Sequence, residues 1–586
     1  MLHSFCQSSR CGPLPPWAEA LRIVFKPEST VLYRLFAMTL SSDPLRTHRY
    51  VCLFDVLLIV TVVAGTRLYG IRQQSVWMDE YLSANYLEAP GLWAFLSEQR
   101  HENWEMAPVY YVVQYYWAKA VPGSIAWVRL LSVIFSAGAG LLLYGMGRHY
   151  FGRGAGLTAA LLFAFSPFQM FHGQEIRPYA LMTLLALGSS AAFLAWREGG
   201  RQRFLIAHIG ANALLLWTHL LSPLLFMAQG ACLVLSRPRD VRRWAPWMLA
   251  HGLILTSILV VVLTLTPAPD PNVPTPPIGN AWRLVSELAP PYDGSLLHKL
   301  FLNEGEYIRW TIGFPSKYGG SGLSPLAETL ILLQHPVELA LGRLSLLALM
   351  CILSLWALRR VAPYPRPARR QQNNEVIGYI MTCCLVPLLL LFLLSQFWKP
   401  HIFQSRYIIY IWPCLYLLCG IATRLLPSGA VRLLLAVPLI SAMIVLGLCN
   451  VLLPIRIDYL GAARHISENT TPSVLLFDDY NTLRLLRFNK NAAEAPYVLA
   501  HDMDWLISRL DDELRAGNEA CVVFFGVASA WNRNVLQLHA ARQGYQVEWR
   551  PFLGMQNLYV YRVRPDARAD AAQRPENASG VRSAPI

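Results

Sequence analysis

Apolar residues run along this chain in long stretches broken by short polar connections, without the strict alternation of a half-buried strand. A helix that crosses a bilayer needs about 20 such residues. Stretches of this kind fall at roughly 50–69, 126–147, 154–172, 178–196, 204–219, 221–236, 245–266, 337–358, 376–397, 406–423 and 432–453. The pattern predicts an α-helical polytopic membrane protein with about eleven transmembrane helices. The pair around 204–236 is short, and only "HLLSP" divides its members. Beyond 454 the pattern changes. "SVLLFDD" and "ACVVFFG" read as buried strands, "DMDWLISRLDDELRAG" as an amphipathic helix closed by a glycine, and "QVEWRPFLGMQNLYVYRV" as a terminal hairpin. A small C-terminal α/β domain is expected over 455–565, followed by a polar, disordered tail at 566–586.

The connections set the orientation. "RHYFGR", "REGGRQR", "RPRDVRR", "RRVAPYPRPARR" and "RLLPSGAVR" are basic and fall on alternate loops, as cytoplasmic loops do. Residues 1–49 then read as a cytoplasmic lead without a cleavable signal pattern, with Met38 as an alternative start. Outer loops are expected at 70–125 and 267–336, with the C-terminal domain on the same, extracytoplasmic side. This requires "MAPVYYVVQYYWAKAV" to lie along the membrane rather than cross it. Tyr110, Tyr111, Tyr115 and Tyr116 would belong to its aromatic belt.

Composition agrees. The 586 residues are 54% hydrophobic and 15% charged, whereas a soluble domain carries about a quarter charged residues. The net charge of +14 sits in the short basic loops, so nucleic acid is excluded as a partner and the lipid bilayer is the expected one. Of the 11 cysteines, Cys52, Cys232, Cys351, Cys383, Cys384, Cys414, Cys419 and Cys449 lie in apolar runs and read as small buried hydrophobes. No cysteine spacing resembles a zinc site.

The polar residues hardest to explain structurally gather at the outer face. "WMDEYLSANY" puts Asp79 and Glu80 just beyond the first span, and His101, Glu102 and Glu105 follow in the same loop. "FHGQEIRPY" supplies His172, Gln174, Glu175, Arg177 and Tyr179, and "FWKPHIFQSRY" supplies Lys399, His401, Arg406 and Tyr407. A carboxylate at a partly dehydrated interface suits a general base for a hydroxyl or amine. Arginine and lysine at the same surface suit a phosphate. Together they point to transfer from a lipid phosphate.

Four stretches carry a family resemblance: "WMDEYLSA", "APVYYVVQYYW", the run from "RLLSVIFS" through "FGR" and "SPF" to "EIRPY", and "SRYIIYIWPCLYLLCG". The chain resembles the GT-C fold, polyprenyl-phosphate-sugar-dependent glycosyltransferases, which include protein O-mannosyltransferases and lipid A aminoarabinose transferases. The resemblance covers most of 50–455 and leaves out the 267–336 loop and the C-terminal domain. Family members often place a histidine directly before the "PPLYY" segment, whereas here "ENWEMA" separates His101 from Pro108.

The resemblance implies an inverting transfer from a polyprenyl-phosphate-linked sugar to an extracytoplasmic acceptor: a glycolipid, a polysaccharide or a protein. It also implies a plasma (inner) membrane location. Asp79 would be the base, with Glu80 a substrate or structural partner. Arg177 and Arg406, supported by Lys399, would take the donor phosphate. His101, Glu102, His172, Glu175, Tyr179, His401 and Tyr407 would line the substrate site. Undecaprenyl, decaprenyl and dolichyl carriers are equally compatible. A divalent cation, magnesium or manganese, on Asp79, Glu80 and His101 stays open, since some members of the superfamily use one.

Plainer readings stand beside these. Glu175 and Arg177 also suit an ion pair at a helix end, Pro178 suits a first helical turn, and Arg406 suits a snorkelling anchor. His219 and His251 lie in or beside apolar runs and read as ordinary helix-end histidines. Two other functions remain in view: a transporter or flippase of a lipid-linked sugar, and a non-catalytic relative of the fold. A transporter would gather its polar groups at the bilayer midplane and often repeat its sequence. This chain shows no repeat and gathers them at one face.

Overall fold

The computed structural model describes residues 44–102, 107–236, 241–265, 367–397, 405–425, 429–452, 458–468, 473–477, 484–486, 488, 497–500, 502–525, 530–552 and 558–565. The chain divides after Thr61 into two units. The described part of the first is the start of helix α1 (Pro44–Leu68). Contacts given below lie within the second, Val62–Ile586.

After α1 come two short helices, α2 (Met78–Ala84) and α3 (Leu92–Glu102), and then α4 (Pro108–Ala120). The bundle continues with α5 (Ile125–Phe151), α6 (Arg153–Phe165), α7 (Pro167–His172), α8 (Tyr179–Gly199), α9 (Gln202–Leu216), α10 (Pro223–Ser236) and α11 (Val241–Leu265). It closes with α12 (Pro367–Phe397), a 3-10 turn at Ser405–Ile408, α13 (Ile411–Leu425) and α14 (Gly429–Leu452). Among the described residues, four helices are long and apolar enough to cross a membrane: Val51–Leu68, Ile125–Phe151, Tyr179–Gly199 and Asn373–Leu391. Shorter apolar helices lie at Arg153–Phe165, Pro223–Leu235, Ile411–Thr423 and Ala436–Val445. The span expected at 337–358 and the loop at 267–336 lie outside the described residues.

Three expectations are corrected. The stretch 154–172 is not one span. Pro167 brings no N–H, and Ser166 turns extended and caps a new six-residue helix, its Oγ accepting from the Gln169 N–H at 3.2 Å. The break leaves the last carbonyls of α6 without helical donors. Arg67, fully buried, supplies them: Nη1 donates to the Ala164 carbonyl at 2.9 Å and Nη2 to that of Phe163 at 3.1 Å. The stretch from 406 does not begin in a helix, because Arg406 and Tyr407 occupy the 3-10 turn before α13. The aromatic belt expected on α4 is divided. Tyr110 and Tyr111 turn into the protein and are buried, while Tyr116 is exposed.

Small residues set how closely the helices approach. Gly152, at φ +95°, reverses the chain between α5 and α6. A Cβ on Gly147 would meet the Gly156 Cα at 2.7 Å, and one on Gly447 would meet the Phe165 carbonyl oxygen at 2.7 Å. A Cβ on Gly420 would overlap the Ala155 carbonyl oxygen. Helices α5, α6, α13 and α14 therefore meet backbone to backbone, as membrane helices commonly do.

Deeper among α8–α12, buried polar side chains close on one another. Ser189 Oγ donates to Asn212 Oδ1 at 2.6 Å and receives Gln229 Nε2 at 2.9 Å. Asn212 Nδ2 reaches Gln229 Oε1 at 2.9 Å and His251 Nε2 at 2.8 Å. Trp247 Nε1 donates to His208 Nε2 at 2.7 Å, and the Tyr379 hydroxyl donates to Ser190 Oγ at 2.9 Å.

The C-terminal segment forms a five-stranded sheet: β1 (Ser473–Phe477), β2 (Tyr497–Ala500), β3 (Ala520–Phe525), β4 (Gln546–Phe552) and β5 (Leu558–Arg564). The order is β2-β1-β3-β5-β4. β1 runs parallel to β2 and β3, while β5 runs antiparallel to β3 and β4. Helices α15 (Tyr459–Glu468), α16 (Met503–Arg515) and α17 (Ala530–Gln543) accompany it. Asp502 caps α16 by accepting from the Trp505 N–H at 2.7 Å, and Gly517 follows at φ +80°. Leu506, Leu510 and Leu514 of α16 bury against Val522 and Phe524 of β3.

Gly420→Ala is expected to lower stability by roughly 1–3 kcal/mol, since the added methyl displaces backbone. Gly65→Ala, where nothing lies within 4 Å, should not destabilise. Thermal unfolding of both variants in detergent checks the pair.

Candidate functional site

Loop 69–77 leaves α1 and carries Trp77 into α2, whose first turn holds Asp79 and Glu80. Adjacent positions on a helix point about 100° apart, so the two acids meet different surroundings. Glu80 faces inward and is fully buried. Arg129, in the first turns of α5, grips it in a fork: Nε to Oε1 at 2.9 Å and Nη2 to Oε2 at 2.7 Å. Arg129 also donates to the carbonyls of Ile71 (2.8 Å), Gln74 (2.9 Å) and Ser75 (3.1 Å). Glu80 Oε1 in turn accepts the Ile176 N–H at 3.0 Å. Glu80 is thus held by an ion pair and a main-chain amide, which suits the structural partner that is one of its two expected roles. Arg129 was missed as a partner because a lone arginine beginning an apolar run reads as an interface anchor.

Asp79 faces the other way. Its side chain is 20% exposed and forms an ion pair with Arg406 of the 3-10 turn, also 20% exposed. Arg177 approaches from the α7–α8 connection. Its Nη1 donates to the Asp79 carbonyl at 3.2 Å and to Ser83 Oγ at 3.1 Å. Burial works against the Arg177 charge, but the oxygens of Tyr111 and Asp79 outweigh it and raise the pKa, so the guanidinium stays protonated. Residues 79, 177 and 406, far apart in sequence, meet here.

Beside this trio lies a fully enclosed polar wall. His172 Nδ1 and Glu175 Oε1 are 2.5 Å apart, both buried, and Ser132 Oγ donates to the Glu175 carbonyl at 2.6 Å. The turn between them needs Gly173, because a Cβ there would meet Ser136 Oγ at 2.6 Å and Arg67 Nε at 2.8 Å. The His172 ring lies 4.8 Å from that of Tyr179, Tyr179 lies 6.2 Å from His219, and His219 lies 5.2 Å from Tyr407. The Arg406 guanidinium stands 5.5 Å over the Tyr407 ring.

His219 sits in the turn between α9 and α10 and is fully buried. Burial first, then the charges of Arg177 and Arg406, push its imidazole down to about 3, so it is neutral at ordinary pH. Sequence reading passed over His219. The available signal was topological, since the alternation of basic loops puts "HLLSP" on the expected outward side.

The structure therefore brings Asp79, Arg177 and Arg406 together and places His172, Glu175, Tyr179 and Tyr407 beside them. Lys399, His401 and Glu105 lie outside the described residues, as do the side chains of His101 and Glu102, whose backbone ends α3. Among the described residues, no group of three or more His, Cys, Asp or Glu side chains is placed to hold a metal ion. Asp79 and Glu80 engage different arginines.

The site is tied to the C-terminal segment. Ser75 Oγ lies 3.4 Å from Asp458 Oδ1 and accepts the Leu460 N–H at 2.9 Å. Met78 and Tyr81 of α2 pack on the cluster containing Tyr459, Val523 and Val560, and the Tyr81 ring meets Phe488 at 5.3 Å.

Two solved structures are among those similar to the chain. One is ArnT from Cupriavidus metallidurans bound to undecaprenyl phosphate, 14% identical, covering 87% of this chain and 97% of that one at a TM-score of 0.35. Another is the oligosaccharyltransferase AglB from Archaeoglobus fulgidus with an inhibitory peptide and a dolichol-phosphate, 11% identical, covering 86% and 73% at a TM-score of 0.43. No family model and no curated protein matches the chain.

Glu80→Gln leaves the Arg129 charge buried without its counter-ion and is expected to destabilise by roughly 3–5 kcal/mol. Asp79→Asn, at a partly exposed site, should destabilise less than Glu80→Gln does. Thermal unfolding of the two variants side by side in detergent tests the division of roles.

Proposed function

We propose that the chain is a membrane glycosyltransferase that moves a sugar from a polyprenyl-phosphate carrier to an extracytoplasmic acceptor with inversion. The observation that carries this reading is the meeting of Asp79, Arg177 and Arg406. The partly exposed Asp79 carboxylate pairs with the Arg406 guanidinium, and Arg177, from a separate connection, donates to the main-chain carbonyl of the same residue. A carboxylate so placed suits proton removal, and two arginines suit a phosphate.

The reaction is one displacement. The acceptor's O–H proton passes to the Asp79 carboxylate as its oxygen bonds to the anomeric carbon. The bond from that carbon to the phosphate oxygen breaks, and its electron pair stays on the lipid phosphate. Arg177 and Arg406 stabilise the charge that grows there. Arg406 must leave Asp79 for the phosphate, so the ion pair describes the site before the donor arrives. His172, Glu175, Tyr179 and Tyr407 line the substrate side, with Lys399, His101, Glu102 and His401 as further candidates for the donor and acceptor. The roughly eleven-span topology, with the site on the outer face of the plasma membrane, belongs to the same reading. Glu80 holds the loops in place and takes no proton.

The transporter reading has less support. The polar side chains buried among α8–α12 are turned toward one another rather than offered to a solute.

The test uses purified protein in nanodiscs with a panel of polyprenyl-phosphate sugars and follows release of the free lipid phosphate. Asp79→Asn should slow release by about 10²–10⁴-fold, and Arg406→Gln should lower it as well. Equal release by wild type and a folded Asp79→Asn variant would remove Asp79 as the base.

A further inference from the structure

Three fully buried atoms beside the Asp79–Arg406 pair have no hydrogen-bond partner among the described residues: Glu175 Oε2, the Tyr179 hydroxyl and His219 Nε2. A buried polar atom left without a partner costs about 1–3 kcal/mol, and three on adjoining side chains mark a place built for a polar ligand. The rings of His172, Tyr179 and His219 succeed one another at 4.8 and 6.2 Å, and Glu175 is fixed to His172 at 2.5 Å. The side chains that carry the three atoms therefore adjoin one another.

The chemistry of the wall can be read atom by atom. His219 Nδ1 accepts the Leu221 N–H at 3.1 Å. A neutral imidazole that accepts at Nδ1 carries its proton on Nε2, so His219 offers a donor. Glu175 Oε2 offers an acceptor, and its other oxygen is already held by His172. The Tyr179 hydroxyl can do either. Donor, acceptor and an adaptable hydroxyl on aromatic rings are what neighbouring sugar hydroxyls need, since each both gives and takes a hydrogen bond. The charges nearby are balanced: Arg177 and Arg406 face Asp79 and Glu175. These four charges cancel, so a neutral sugar leaves the balance intact, whereas a sugar acid or a sugar amine leaves one charge in excess.

We infer that Glu175, Tyr179 and His219 form the sugar subsite and select a neutral, hydroxylated sugar on the carrier over an acidic or amino sugar. This rests on the glycosyltransferase reading. It adds His219 as a specificity residue and commits to the charge class of the donor.

The experiment measures binding to the full-length protein in nanodiscs. The probes are undecaprenyl phosphate alone, a set of neutral hexosyl and pentosyl forms of it, and uronosyl and aminopentosyl forms. Wild type should bind at least one neutral form about tenfold or more tighter than the bare phosphate and tighter than either charged form. Tyr179→Phe, which removes one oxygen, and His219→Ala should each erase about tenfold of that gain. Binding of bare undecaprenyl phosphate should not change.

Preference for a charged sugar would overturn the proposal. So would equal affinity for bare and glycosylated carrier, or equal losses on all probes, which would mean that the two side chains serve the phosphate or the fold. These results leave the donor reading standing, because the carrier still binds. Failure of wild type to bind any probe removes the donor reading and the subsite with it.

Discussion

The Glu80–Arg129 pair is the constraint on which the rest of the site depends. Both charges are buried, and withdrawing each from water costs several kcal/mol. The cost is met by a two-point fork, three backbone carbonyls on Arg129 and the Ile176 amide on Glu80. The two side chains thereby fix three pieces of chain: the loop leaving α1, the first turn of α2 and the connection that carries Glu175 and Arg177. Asp79 owes its position to Glu80. With Glu80 locked inward, the preceding position on the helix is turned toward Arg406.

Much of this could be read from the sequence, and the reasons for the rest are specific. Helices α1, α5, α8 and α12 announced themselves by length and apolarity, because a bilayer leaves few alternatives to a helix. Their basic connections placed 79, 177 and 406 on one face, and the structure brings those three together. The division of labour between Asp79 and Glu80 was not legible. It depends on which helical face is buried, and a seven-residue helix carries too little pattern to show that. The break at Ser166–Pro167 was present in the letters but submerged in a long apolar run. The carbonyls it strands are answered by Arg67, about a hundred residues earlier. Strand β2 is four residues long and has no alternation to detect. His219 was hidden in plain view, since a histidine beside a helix end is ordinary until the rings around it are known.

The two polar groups buried in the bundle differ in kind. Around Ser189, Asn212 and Gln229, donors and acceptors close on one another, so the group fixes how α8–α12 register and asks for nothing from outside. Around Tyr179, three polar atoms, Glu175 Oε2, the Tyr179 hydroxyl and His219 Nε2, have no partner among the described residues. Both groups are equally enclosed, and both cost free energy to desolvate. Only the second is left with an interaction to make.

The contact of Ser75 with Asp458 and Leu460 joins positions 383 residues apart in the chain. The ribosome adds about 5–20 residues per second, so roughly 20–80 s separate the synthesis of one side of that contact from the other. During this interval the segment after α1 exists without the surface that Met78 and Tyr81 cover. Membrane insertion and completion of the site are therefore separate events in the life of each molecule. A chain that stops short of α15 can carry every helix of the bundle and still lack a finished site.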